Sequence, residues 1–270
     1  MNSLSGVSLR SEHLQSYLRR QSSFSALEVV FENYLYTSGE RRRALLDLSR
    51  DYRVHLHGVS TNIGSTDRLD VTQLMKLKEL ARETNAFLVS DHLCFTRIGK
   101  KSTFELLPIP LTTKMLKHVG ERLDKIRDIL KQDFLLENIS SYFTYQLDEM
   151  DEATFMTELH KSYGANFLLD VNNIYVNSEN FGFSPTDFIK RIPDTAVGAY
   201  HVAGHEEVRG FKFDTHGAPI PDTVKELYQI AVRRFGQKPT FLERDENIPI
   251  ELSVLTEELG HVLGVETNEA

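Results

Sequence analysis

Cysteine is almost missing: Cys94 is the only one in 270 residues. An internal disulfide is therefore excluded, as are Cys-rich zinc sites and iron–sulfur clusters, and the usage fits a reducing compartment. Long apolar runs are missing too. None approaches the roughly 18 residues that a membrane span requires, and the amino terminus lacks a signal peptide's charged head and apolar middle. The expectation is a cytoplasmic protein with no membrane partner. Positive charge is in deficit, with a formal net charge of −8. Nucleic-acid backbones and anionic membranes both demand a positive field, so neither is an expected partner.

What is present suits a folded enzyme. Hydrophobic residues make up 40% and charged residues 26%, enough apolar surface for a core. Short apolar or β-branched runs begin at Gly6, Leu27, Arg53, Phe87, Phe134, Phe167, Gly198 and Thr240. Helical periodicity fills most of the intervals: Leu116, Val119, Leu123, Ile126 and Leu130 recur at steps of three and four, which places them on one helix face. Weaker patterns lie near 13–20, 41–49, 72–82, 153–162, 223–235 and 252–262. The segment 106–113, with two prolines, reads as a connection. Alternating strand and helix predicts parallel βα units. Eight of them close into a (β/α)8 TIM barrel more readily than they form an open sheet, and the length matches about 250 residues for that fold. A single barrel domain over residues 1–270 is expected.

Functional groups of such a barrel gather where strands end. Here the third to eighth runs end in His57, His92, Glu137, Asp170, His201 and Glu243. Any one of them is most simply a hydrogen-bonded histidine or a helix cap. Together, at one mouth, they would repel or desolvate one another unless cations compensated them. A polynuclear metal site follows. Asn173 stands three residues after Asp170, and Asp214 and His216 are two apart, a spacing that aims both to one side of an extended segment; these three could complete a further position. Imidazole with carboxylate suits iron, manganese or zinc, and residue types alone do not choose among them. His55 should point inward one layer deeper, as a core histidine. His205, four residues after His201, could serve substrate binding or proton transfer, and Glu32 and Asn33 could line the mouth or cap the following segment. Asp91, Asn138, Asn172 and Asp245 are candidates for orienting the ligands, which usually need an outer hydrogen bond.

The phrases "LEVVFENY" (27–34), "LHGVSTNIGS" (56–65), "VSDHLCF" (89–95), "LLENISSY" (135–142), "LLDVNNIYV" (168–176), "HVAGH" (201–205), "DTHG" (214–217) and "FLERD" (241–245) occur in that order. The chain resembles, through them, the multinuclear non-haem iron-dependent oxidative enzymes. The resemblance implies a barrel similar to xylose isomerase and endonuclease IV, holding two or three irons in a mixed-valent ferrous and ferric state. It implies His57, His92 and Glu137 on one iron, Glu137, Asp170, His201 and Glu243 on the next, and Asn173, Asp214 and His216 on the third. It further implies use of dioxygen to modify a ribosomal precursor peptide, commonly at cysteine, as in methanobactin and 3-thiaglutamate biosynthesis, with a small partner protein that recognises the leader. Asp91 and Arg244 depart from the family's frequent Glu and Trp. The rival reading is a zinc-dependent phosphodiester hydrolase of the endonuclease IV type. It calls for a basic surface, and Asn173 is a poorer zinc donor than histidine.

Overall fold

The computed structural model describes residues 4–99 and 101–265. Eight strands, β1 (Gly6–Ser8), β2 (Ala26–Val30), β3 (Arg53–Gly58), β4 (Leu88–His92), β5 (Leu135–Glu137), β6 (Asn166–Asp170), β7 (Val197–Val202) and β8 (Thr240–Leu242), pair in parallel. Their ring order is their chain order, and β1 closes the barrel on β8 through Gly6 opposite Phe241 and Val7 opposite Leu242. The (β/α)8 barrel expected from the alternating pattern is the observed fold.

Local chemistry sets the outer helices. Thr113–Leu130 starts where the Thr112 side chain accepts the Met115 N–H and stops at Lys131, which takes a left-handed φ of 60°. Between those ends its stripe of Leu116, Val119, Leu123, Ile126 and Leu130 is buried, which for an amphipathic helix is where most of the stability arises. Val71–Glu83 and Glu152–Tyr163 are capped in the same manner by Asp70 and Asp151. Between β6 and β7 the chain makes two helices, Val171–Phe181 and Pro185–Arg191, in an interval whose periodicity is too weak to read. Its residues before the glycine at 182 include four asparagines, poor helix formers that survive here because tertiary packing overrides propensity.

Segment 106–113 corrects the sequence reading. Lys101–Pro108 is a strand, paired antiparallel with Cys94–Ile98, and only 109–112 connects it to the next helix. Prolines at 108 and 110 obscured it because they sit at the strand's end and beyond, where no ladder hydrogen bond is lost. A second hairpin, Glu206–Val208 with Phe211–Phe213, follows β7. Both hairpins leave the carboxyl ends of barrel strands and so build up the mouth. Among the described residues no helix is long and apolar enough to cross a membrane.

Period-two alternation layers the lumen. Leu88, Leu135, Leu168 and Ala199 pack together as an apolar floor. Two residues further along their strands stand Ser90, Glu137, Asp170 and His201, all buried. The polar layer therefore rests on a dry base.

Candidate metal centre

Glu137, at the end of β5, is the hub. Its Oε2 lies 3.2 Å from His57 Nε2 and 3.3 Å from His92 Nε2. Its Oε1 is 3.0 Å from His201 Nδ1. The same His201 nitrogen is 3.4 Å from Glu243 Oε2 and 4.0 Å from Asp170 Oδ2. Glu243 Oε2 is in turn 3.4 Å from His216 Nδ1, and His216 Nε2 is 2.7 Å from Asp214 Oδ1. Eight of the nine residues anticipated at strand ends and in the following loops thus form one continuous constellation. The ninth, Asn173, is buried in the first turn of Val171–Phe181.

Each side chain is aimed by a partner on its far side. His57 Nδ1 is 2.7 Å from Ser90 Oγ, and His92 Nδ1 donates to the Gly58 carbonyl at 2.9 Å, leaving Nε2 of both rings inward. Asp170 does cap its helix, its Oδ1 accepting Asn173 N–H at 2.6 Å, yet Oδ2 stays free for the lumen. Capping its helix therefore leaves Asp170 one oxygen available to the lumen. Asn172 donates to Asp214 Oδ1 at 2.7 Å and accepts from His205 Nδ1 at 2.8 Å, so His205 stands behind Asp214. Arg10 holds Glu243 Oε1 at 3.3 Å and turns Oε2 inward. Asp214 and His216 do converge, but not by strand alternation: His216 adopts a φ of +49°, a strained geometry of the kind that collects at functional sites.

The remaining candidates fall around this core. Asp91 accepts backbone N–H groups of Ser60, Thr61 and His92, organising the loop after β3, and its Oδ1 lies 3.8 Å from His92 Nδ1. Asn138 ties β5 to β6 through the Asp170 backbone. Asp245 is exposed, with Oδ2 3.5 Å from His216 Nδ1. Glu32 accepts from Val59 N–H and Ser60, while Asn33 is exposed. Cys94 is buried, and burial pushes its thiol well above the usual range. Arg244 pairs with Glu258 at 2.8 Å.

Glu28 escaped the sequence reading. It sits mid-strand in β2, 1% exposed, with Oε2 2.6 Å from His201 Nε2 and 2.8 Å from His55 Nδ1. The available signal was a carboxylate flanked on both sides by apolar strand residues in "ALEVV", since an ionised side chain is almost never placed there without a partner.

Electrostatics explain how this much charge is tolerated without a metal. Burial lowers the His92 imidazole, but Glu137 and Asp91 more than offset it and raise the pKa to about 9. Burial opposes charge on His201 and His216 as well; Glu28 and Glu137 hold the first well above the usual histidine range, and Asp214, Asp245 and Glu243 the second. Burial raises Glu28, Glu137 and Glu243, yet the imidazoles beside them bring all three below the ordinary carboxylate value. Asp170 has weaker compensation: burial and Glu137 push it to about 7. His57 falls to about 4, mainly by burial.

The donor set fits metal ions. His57 Nε2, Glu137 Oε2, Asp170 Oδ2, Asn173 Oδ1 and both His216 nitrogens are buried with no hydrogen-bond partner. Unmet buried polar atoms normally cost about 1–3 kcal/mol each. Six at one mouth, all nitrogen or oxygen, are donors of the kind that could hold metal ions. Groups such as His57, Glu137 and His201 lie close enough for one ion. Glu28, His55 and His57 also lie close, but two of them turn toward Ser90 and the third toward His201.

A family model described as "RiPP precursor modification enzyme MbnB/TglH/ChrH" matches residues 4–266. The chain belongs to this family. MbnB/TglH/ChrH proteins modify precursors of RiPPs, peptides made on the ribosome, and this chain is an enzyme of that kind. A UPF0276 protein of Anaeromyxobacter sp. (strain Fw109-5) is 37% identical over 244 residues, covering 90% of this chain and 86% of its own. Solved structures similar to this member of the family include a D-tagatose 3-epimerase-like protein, with TM-score 0.64, 16% identity and coverage of 96% and 98%. Endonuclease IV from Thermus thermophilus is similar at TM-score 0.62 and 14% identity, with the same coverage. At such identities the likeness extends to the barrel, of the xylose isomerase and endonuclease IV type, and no further.

Proposed function

We propose that this chain is an iron- and dioxygen-dependent enzyme that oxidatively modifies a cysteine residue of a ribosomal precursor peptide. The supporting observation is the set of buried, unpartnered nitrogen and oxygen donors at the barrel mouth. His57, His92 and Glu137 would hold one iron; Glu137, Asp170, His201 and Glu243 a second; Asn173, Asp214 and His216 a third. When bound, the irons would supply Lewis acidity toward a substrate thiolate and redox chemistry toward dioxygen.

The chain's own contribution is placement. Ser90 and the Gly58 carbonyl orient His57 and His92, and Asn172 and Ser140 hold Asp214 at 2.7 and 3.0 Å. Glu137 faces three imidazoles with two oxygens, the arrangement of a bridging carboxylate. Glu243 would hold the second ion, and its Oε2 is equidistant from His201 and His216 at 3.4 Å. The protein offers no reactive thiol of its own, since Cys94 is buried and protonated; the sulfur must arrive with the substrate. An apolar cavity of about 360 Å3 begins at Leu93 and Ile139, next to His92 and two residues past Glu137, and extends to Phe143 and Phe181. It is sized for apolar side chains beside the reacting cysteine. A small leader-recognising protein would bring the peptide, in a cytoplasmic setting.

The test is anaerobic purification followed by metal analysis and aerobic incubation with cysteine-containing precursor peptides and the partner protein. The expected result is about two or three irons per chain, matching the three donor groups, oxygen uptake only with peptide, and a mass change in that peptide. Stoichiometric zinc supporting cleavage of abasic DNA would instead establish the hydrolase reading.

A further inference from the structure

Beneath the mouth lies a second row of polar side chains outside the proposed ligand set. Ser8, Glu28 and His55 stand opposite one another on β1, β2 and β3, and Ser90 stands opposite His57 on β4. All four residues of the row are buried, with exposures of 3% or less. Ser8 Oγ donates to Glu28 Oε1 at 2.5 Å. Ser90 Oγ is 2.7 Å from both His55 Nε2 and His57 Nδ1. Across the lumen, His201 Nε2 reaches Glu28 Oε2 at 2.6 Å. The row links His57, on one side of the barrel, to His201 on the other.

Hydrogen counting gives the row a direction. An ionised carboxylate only accepts, so Glu28 forces a hydrogen onto His201 Nε2. It forces one onto His55 Nδ1 as well: at 2.8 Å from Oε2, two lone pairs would repel. That contact is an ion-pair contact rather than a well-aligned hydrogen bond. With the His55 hydrogen on Nδ1, facing Glu28, its Nε2 is the acceptor toward Ser90, which donates its single hydroxyl hydrogen there. Ser90 can then only accept from His57, which places the His57 hydrogen on Nδ1. The metal-facing nitrogens are consequently Nε2 of His57 and Nδ1 of His201, opposite atoms of the two rings. Those are the atoms that face Glu137, at 3.2 and 3.0 Å.

We propose that Glu28 is a positioning residue for the metal centre: through His55 and Ser90 on one side and directly on the other, it sets which nitrogen of His57 and of His201 is offered to a cation. The inference rests on the metal-centre reading above. It assigns a task to three buried residues, Glu28, His55 and Ser90, that the ligand set leaves without one. A deep carboxylate of this kind also raises the donor strength of the histidine it holds, and loss of such a partner typically costs about 10–100-fold in metal affinity.

The experiment compares the full-length wild type with Glu28→Gln and Ser90→Ala, each checked for fold by far-UV circular dichroism. Cobalt(II) is titrated anaerobically into the metal-free proteins, following affinity and the visible absorption of the bound ion. The His57 tautomer is read separately from imidazole 15N shifts. Glu28→Gln should weaken cobalt binding about 10–100-fold and change its spectrum. Ser90→Ala should move His57 toward the tautomer with hydrogen on Nε2, facing the centre. Ser90→Ala removes one oxygen and carries the test should Glu28→Gln fail to fold. Wild-type affinity, spectrum and His57 tautomer in the folded variants would overturn the inference while leaving the metal centre intact. A wild type that takes up neither cobalt nor iron would overturn the metal centre itself.

Discussion

Burial opposes charge on His92, His201 and His216, but Glu137, Glu28 and Asp214 beside them raise the first to about 9 and the other two well above the usual histidine range, which favours protons there. Those protons occupy the places that cations would take. Metal uptake must displace them, together with the proton that Asp170 holds up to about pH 7. The sign follows. Lowering pH fills the donors with protons and weakens binding; raising it through the window from about 7, set by Asp170, to about 9, set by His92, strengthens binding. Cobalt(II) affinity measured across pH 6–9 should climb and then level, with proton release seen in buffers of differing ionisation enthalpy; a flat profile would contradict the assignment. His55 was readable as a deep core histidine because it shares strand parity with His57. Its partner Glu28 was not, because nothing in one dimension brings β2 across the lumen to His201 on β7.

At the level of elements, the strand-end rule located His57, His92, Glu137, Asp170, His201 and Glu243, since parallel strands all deliver their last inward residue to one face. The loop residues obey no such rule. Asp214 and His216 meet through a left-handed residue at 216 rather than through extended alternation. The loop that carries them is held against β7 at Gly204, where an added Cβ would stand 2.0 Å from the Ala218 carbonyl oxygen. Gly204→Ala must therefore shift backbone. Overpacking of this kind costs about 1–3 kcal/mol. The expected outcome is a folded protein that loses its weakest-bound metal first, because the displaced loop supplies Asp214 and His216 while His57, His92 and Glu137 stay on their strands. Metal analysis and circular dichroism would check it, and retention of every equivalent would count against the loop's assignment.

Over the whole molecule, the candidate ligands come from five of the eight barrel strands, β3 to β7, and from segments that follow β6, β7 and β8. Cations sharing Glu137 would thus together tie pieces separated by nearly 190 positions, from His57 to Glu243. Barrel closure itself depends on two three-residue strands, β1 and β8, paired at two positions. Binding to the folded state at a hundredfold excess over Kd adds about 2.7 kcal/mol. At roughly 2–4 °C per kcal/mol, Tm should rise by about 5–10 °C on iron(II) loading. Anaerobic calorimetry with and without a chelator measures this, and an unchanged Tm would argue against a shared centre.

Fold class and most of the donors were written along the chain, because period-two and period-3.6 patterns are local and the barrel converts their order directly into position. Which donors share an ion was not, nor was the role of Glu28, nor the hairpin at 94–108. Those depend on distances across the lumen: Glu137 between His57 and His201, Glu243 between His201 and His216, and Glu28 beneath His201. Such distances exist only after β1 has met β8, since closure alone brings opposite walls within hydrogen-bond reach.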